Sequence, residues 1–319
     1  MTATGEFDAI IEPADAPDEE IVSERRSVDQ LVGAATLLGL EARPGSPLAA
    51  LVASGSGDSR VPPDSRPTAA WASVVRALAA PERRIDAALT GSDGILVWAF
   101  HGAADGTWAG LWPEGDAGAD QLRVTGPMTA EMVGGYVGVF FAGLRTPSPM
   151  QPIVTTEVGL AAAAAAIDAW RSVRLREWSE HRRPAGGFSA DDLAEAHRLG
   201  VERDDGRWLT TMLADVSAVA QDAETVLGAG VAECRAAGLL RDTGGGFDLT
   251  GDLLRLANDV WFPQPSLVLT VGADTPQHKL VAIRGHDTVW AFVLGASECS
   301  ILGTDDIGLA NVVTRLATD

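Results

Sequence analysis

Apolar positions along this chain change their spacing from one segment to the next, and those changes mark out its elements. Between Thr68 and Ala80, Trp71, Val74, Val75 and Leu78 fall three and four residues apart, the spacing of one helix face, and Pro81 ends the run. Four short strand-like runs follow, Arg84–Leu89, Ile95–His101, Thr107–Trp112 and Gln121–Thr125, separated by turns rich in Gly and Asp. Connections this short predict an antiparallel meander. Thr129–Phe141 returns to helical spacing, with Met132, Tyr136 and Phe140 four apart and Val133, Val137 and Phe141 beside them.

The same order recurs later in the chain. Ser266–Val271, His278–Arg284, Thr288–Leu294 and Glu298–Leu302 read as strands, and Asp305–Leu316 as a closing helix with Asp305 as its cap. Earlier in each stretch stands a short capped helix, Ser27-Val28-Asp29-Gln30-Leu31 running to Leu38-Gly39-Leu40-Glu41, and Ser189-Ala190-Asp191-Asp192-Leu193 running to Leu199-Gly200-Val201-Glu202. An apolar helix then ends before Pro81 in one and Pro263 in the other, and Trp108 and Trp290 take equivalent places. The fold class expected is α+β, with two pseudo-repeats, each of helices followed by an antiparallel meander and a closing helix, in a quasi-two-fold arrangement. The boundaries are 1–26, a disordered acidic tail; 27–150, the first repeat; 151–187, a connecting helix; and 188–319, the second repeat with a winged-helix-like insertion. In the connector, Thr156–Arg183, six consecutive alanines precede Arg171, Arg174, Arg176, Arg182 and Arg183, which read as a solvated face near a helix C-terminus.

Composition narrows the classes of function. The chain has 319 residues, 46% of them hydrophobic, enough for a sizeable core, and its formal charge of −20 repels nucleic acid and anionic lipid heads. Twenty-three arginines against the single Lys279, with abundant Ala, Gly and Asp, suggest a GC-rich actinobacterial genome. No basic n-region opens the chain, and the longest apolar run, Gly159–Trp170, holds Asp168 and is too short to span a bilayer, so a cytoplasmic protein without membrane insertion is expected. Cys234 and Cys299 match no zinc or redox spacing and read as buried thiols.

Catalytic signatures are missing. No two of the five histidines form a close metal-ligand pair, no Gly-x-Ser-x-Gly elbow, Walker-type loop or dinucleotide fingerprint occurs, and Gly244-Gly245-Gly246 reads as a hairpin turn. The doublets Asp191-Asp192, Asp204-Asp205 and Asp305-Asp306 read as helix caps. Accordingly no catalytic residue, metal or cofactor is assigned. Val216–Leu240 with the hairpin Arg241–Leu249 has the outline of a winged helix, yet residues 188–262 hold fourteen acidic residues against six arginines, a net of about −8, too negative to follow a phosphate backbone. An acidic winged-helix regulator or scaffold is the alternative reading, and an enzyme with unrecognised residues a third.

Together, the leading Leu-Gly-Leu helix, the segment Val75-Arg76-Ala77-Leu78-Ala79-Ala80-Pro81-Glu82-Arg83-Arg84-Ile85-Asp86, the meander after it and the second half ending in strands and a helix resemble the EspG proteins of actinobacterial ESX (type VII) secretion. That resemblance implies a quasi-two-fold α/β fold and a cytosolic, non-catalytic chaperone that holds the exposed apolar tip of a helical PE–PPE pair before export. The chain departs from the family pattern in its acidic tail, its Ala-rich connector and a second half about twenty residues longer before its sheet, the offset growing from 162 at Leu31/Leu193 to 182 at Pro81/Pro263. From the residues themselves, Trp208, Leu209, Met212 and Leu213 form a short apolar stripe and Trp261-Phe262 ends a helix. These six are expected to frame an apolar groove for a partner helix.

Overall fold

The computed structural model describes residues 21–54, 68–91, 94–113, 121–143, 151–183, 186–202, 208–261, 266–272, 276–295 and 298–318. The chain begins with strand β1 (Val22–Ser27) and helices α1 (Val28–Leu37), α2 (Pro47–Ser54) and α3 (Ala69–Ala79). The meander β2 (Arg83–Gly91), β3 (Gly94–Gly102), β4 (Trp108–Pro113) and β5 (Gln121–Met128) follows, then α4 (Ala130–Val139). The later half opens with β6 (Ile153–Thr155) and the long α5 (Glu157–Ser179), continuing through α6 (Ala190–Glu202) and α7 (Leu209–Ala214). Next come α8 (Ala223–Thr225), a π-helical turn at Val226–Gly230, α9 (Val231–Ala236), the hairpin β7 (Leu240–Thr243) and β8 (Gly246–Leu249), and α10 (Gly251–Asp259). A second meander, β9 (Ser266–Gly272), β10 (Pro276–Arg284), β11 (Val289–Leu294) and β12 (Cys299–Thr304), leads to α11 (Asp306–Thr318).

Ten strands form one antiparallel sheet in the order β1-β5-β4-β3-β2-β9-β10-β11-β12-β6. The two meanders meet where β2 pairs with β9, and outward from that pair both run through three successive strands to an edge strand from the start of their own half. Chain pattern places the strands well because each alternates between two covered faces: Ile85, Ala87, Leu267 and Leu269 pack under α4 and α11, while Val281, Ile283, Trp290 and Phe292 pack under α5 and its neighbours. A third cluster, around Leu31, Leu48, Trp71, Val74 and Leu78, seats α1–α3 on Ala109 and Val124.

Three expectations need correction. Residues 22–26 are not tail but edge strand, paired with β5 from Val22↔Gly126 to Ser27↔Gln121, where cross-strand hydrogen bonds hold a charged sequence in place. Residues 1–20, like 55–67, lie outside the described residues. Within 151–187, α5 runs through the core: Ala161–Ala166 are all buried, because side chains this small let α6, α7, α9 and the π turn close around α5. A Cβ at Gly230 would stand 2.6 Å from the Val158 carbonyl oxygen, which shows how near that turn passes. Arg171 is buried against Asp168 at 3.3 Å and Arg174 pairs with Glu177 at 2.8 Å, so only the later arginines of the cluster face solvent. Trp108 and Trp290 occupy corresponding strands but project to opposite faces, Trp108 toward α4 and Trp290 toward α10, where its Nε1 donates to Asp259 at 2.7 Å.

The helix–hairpin unit α9–β7–β8 exists, and it is fastened rather than free. Cys234, Leu240 and Leu249 enter the core around α5, Phe188 bridges to Phe247, and Arg235 pairs with Asp242 within the unit. Glu233 on α9 reaches the start of α5, accepting hydrogen bonds from the Thr155 hydroxyl at 2.7 Å, the Thr156 amide at 2.9 Å and the Thr156 hydroxyl at 2.6 Å. Desolvation, the largest single effect, pushes its carboxyl up, but these hydrogen bonds together outweigh it and hold the carboxyl below its ordinary range. Ser189 caps α6, its hydroxyl accepting from the Asp192 amide while the Asp192 carboxylate accepts from the Ser189 amide; Asp305 caps α11, and both cysteines are buried.

Candidate partner-binding site

Of the six residues expected to frame a groove, the five that are described do not share a surface. Leu209, Met212 and Leu213 point into the core around α5 and are almost fully buried, because α7 is a short helix buried along its whole length between its neighbours. What fixes α7 there is Asp168 on α5, whose carboxylate accepts the Leu209 amide at 3.3 Å and the Thr210 amide at 2.8 Å. Burial pushes the Asp168 carboxyl up, while Arg171 and the Thr210 and Leu209 amides pull the other way. Trp208 is half-buried under the Arg171 guanidinium, 5.0 Å from the ring, and Trp261 is half-buried edge-on to Trp170 at 5.4 Å. Both tryptophans therefore brace α5. Phe262 lies outside the described residues.

A different set of side chains reaches solvent. In β3, Ile95, Leu96 and Val97 are 67%, 44% and 53% exposed, three large apolar residues in succession. Register explains the run. Leu96 shares a face with Trp98, Phe100 and their β2 partners Leu89, Ala87 and Ile85, the face covered by α4 and α11, but it stands beyond the end of that cover. Ile95 and Val97 project from the opposite face beside Thr90 and Ala88.

Two helix ends meet the hairpin at the same place. A Cβ at Gly138 would lie 2.8 Å from the Asp306 carbonyl oxygen, so the end of α4 abuts the start of α11, and Phe140 stacks on Trp98 at 5.1 Å. Val139 at the end of α4 and Ile307 at the start of α11 are exposed as well, on the helical layer that covers the face of Leu96. Behind them, Trp98, Trp112, Tyr136 and Phe140 form an aromatic cluster with centroids 5.1 to 6.4 Å apart. Burial pushes the Tyr136 hydroxyl pKa up, with the Arg123 charge opposing. The hairpin thus presents exposed apolar side chains on both faces of the sheet, with the aromatic cluster on the face of Leu96, the make-up of a protein-binding surface.

On its outward side the backbone here has no described strand partner. β4 pairs with β3 only from Ala99 to Gly102, so no described strand pairs with the outward edge of Ile95–Trp98. Sheets normally protect an edge with charge or shortness. β1 carries Glu24, Arg25 and Arg26 and β6 has three residues, whereas Gly94–Gly102 holds no acidic residue, lysine or arginine. The pattern search passed over Ile95–Val97 because apolar residues in a strand read as core. The signal available was that three in a row, beside a Gly-Ser-Asp-Gly turn, break the alternation of a half-buried strand.

Among the described residues no group of His, Cys, Asp and Glu is disposed to hold a metal ion, and no helix is long and apolar enough to cross a membrane. No family model matches the chain, and no curated protein matches it. Among solved structures, the chain is similar to that of the Mycobacterium tuberculosis type VII secretion system chaperone EspG5 in complex with a PE25–PPE41 dimer, at 11% identity and a TM-score of 0.46, over 93% of this chain and 96% of that one.

Proposed function

We propose that this protein is a non-catalytic binding protein that shields the apolar tip of a helical client, in the manner of the type VII secretion chaperones its sequence resembles. The observation that carries the reading is the exposed apolar run Ile95, Leu96 and Val97 at the end of the β2–β3 hairpin, beside the aromatic cluster of Trp98, Trp112, Tyr136 and Phe140. An exposed cluster of this kind is costly in water unless something covers it. A client of the PE–PPE type, two helical chains with an apolar tip, fits such a surface, and a cytoplasmic, actinobacterial setting is part of the same proposal.

The shared outward order of the two meanders supports reading the halves as copies of one unit, with α5 standing where α1 stands in the first. On that reading the later half has kept a helical mass around α5 that the first lacks. Trp208 and Trp261 then serve as braces, and client contact belongs to the hairpin end.

Co-purification of the tagged protein from its host cytosol, with mass spectrometry, tests the function. Recovery of a helical secreted pair that precipitates when expressed without this protein is the expected result. A protein that emerges alone and leaves such pairs insoluble contradicts it.

A further inference from the structure

On the face that carries Ile95 and Val97, helical cover comes as two separate masses. Helices α1–α3 sit on Ala109 of β4 and Val124 of β5, and the helices around α5 sit on Val281 and Ile283 of β10. Between them lie β3, β2 and β9, whose register sets side chains in rows, Val97, Ala88 and Val268 in one and Ala99, Asp86 and Thr270 in the next. None of these six is buried. Four strand spacings separate β4 from β10, about 19 Å. An α-helix with its side chains is about 10–12 Å across, so this trough takes one helix and not two side by side. Ala88 and Ala99 on its floor let such a helix approach closely.

The chemistry of the trough changes along its length. Its hairpin half is apolar, and one row further on Asp86 is paired with Arg84 at 2.7 Å, a unit with no net charge. In that same row Lys279, the chain's single lysine, stands beside Thr270 on β10. Lys279 is half-buried and donates to the Val216 carbonyl, a neutral partner, and no carboxylate among the described residues pairs with it. One of its three donors is thus used and its charge is left unbalanced, so this row favours an anion. Rows on one face are about 7 Å apart, which places the ammonium about four residues of helix beyond Val97 and about nine beyond Ile95. A second copy of the protein is a poorer occupant, because two bodies of formal charge −20 repel.

We propose that one amphipathic client helix lies lengthwise in this trough, its apolar side chains on Val97 and Ala88 and a carboxylate about four to nine residues along the same face paired with Lys279. That the helix is the client's rests on the function proposed above; that the trough takes a helix rests on its width and chemistry. Lys279 thereby selects which helices fit, since one with a basic residue at that place sets two like charges together in a half-buried site.

Fluorescence anisotropy of the full chain with a labelled synthetic helix tests this, the probe carrying leucines on one face of its first half and glutamates on that face of its second. A twin probe carries lysines in place of the glutamates. The native protein is expected to bind the glutamate helix at least tenfold more tightly, against the pull of its overall negative charge on the lysine helix. Lys279→Glu is expected to reverse the preference, and Ala88→Trp, which fills the floor, to weaken both probes at least tenfold with an unchanged urea midpoint. If Lys279→Glu does not fold, Lys279→Met keeps the stem without the charge and is expected to abolish the preference. An unchanged preference in the folded Lys279 variant, or native affinity in Ala88→Trp, overturns the proposal. That result, with Ile95→Asp/Val97→Asp still losing the client recovered from host cytosol, leaves the chaperone reading standing. Charge-selective binding of the synthetic helix, with no helical client recovered, leaves the trough standing and removes the chaperone reading.

Discussion

His101 shows how one side chain ties stability to pH. It is buried on β3 with its Nδ1 meeting no hydrogen-bond partner, and burial, with Arg84 nearby, pushes the imidazole from its ordinary 6.5 down to about 4. A histidine depressed in the folded state contributes stability above its unfolded value that is lost as pH falls from there toward about 4, because only the unfolded chain takes the proton. The unfolding free energy is expected to drop by about 2 kcal/mol more between pH 7.5 and pH 5 in the native protein than in a His101→Leu variant, as read by urea titration. Parallel pH profiles for the two would refute this assignment. Asp168 works through geometry, joining Arg171 to the first amides of α7. Asp168→Ala leaves a buried guanidinium without its carboxylate and is expected to cost about 3–5 kcal/mol.

Elements are held by close approach and by caps. α4 and α11 cross where Gly134 and Gly138 face Ala310 and Thr314, so Gly138→Val forces the helices apart and is expected to cost about 1–3 kcal/mol by urea titration, with the hairpin unchanged in exchange. Glu233→Ala removes three hydrogen bonds from the start of α5, and a loss of about 1–3 kcal/mol is expected while Glu224→Ala, exposed on α8, has little effect. At this scale the sequence was most readable. All eight meander strands and the helices after β5 and β12 follow from alternation, helical spacing and Gly-rich turns, because each presents a regular apolar face to one layer. The character of α5 was not readable. Six alanines have no amphipathic face, and the arginines beside them look solvated until Asp168 and Glu177 are seen to meet them within the core. The stripe Leu209, Met212 and Leu213 was misleading for a related reason, since an apolar helix turn has the same spacing whether it faces a partner or its own core.

At the scale of the whole molecule, two helical layers cover the sheet but leave one end of it unfinished. There the β2–β3 hairpin extends past the described part of β4 and carries the exposed Ile95, Leu96 and Val97. Pairing β2 with β9 places the junction of the two halves next to this end, so a bound client is supported by both. Substituting Ile95 and Val97 with aspartate alters only exposed side chains, so the urea midpoint and circular dichroism are expected to match the native protein. The measurement that bears most directly on the account is the affinity of this Ile95→Asp/Val97→Asp variant for the client recovered with the native protein. A loss of at least tenfold with an unchanged fold is predicted, and native affinity in the folded variant would contradict the claim that the apolar end is where the protein binds.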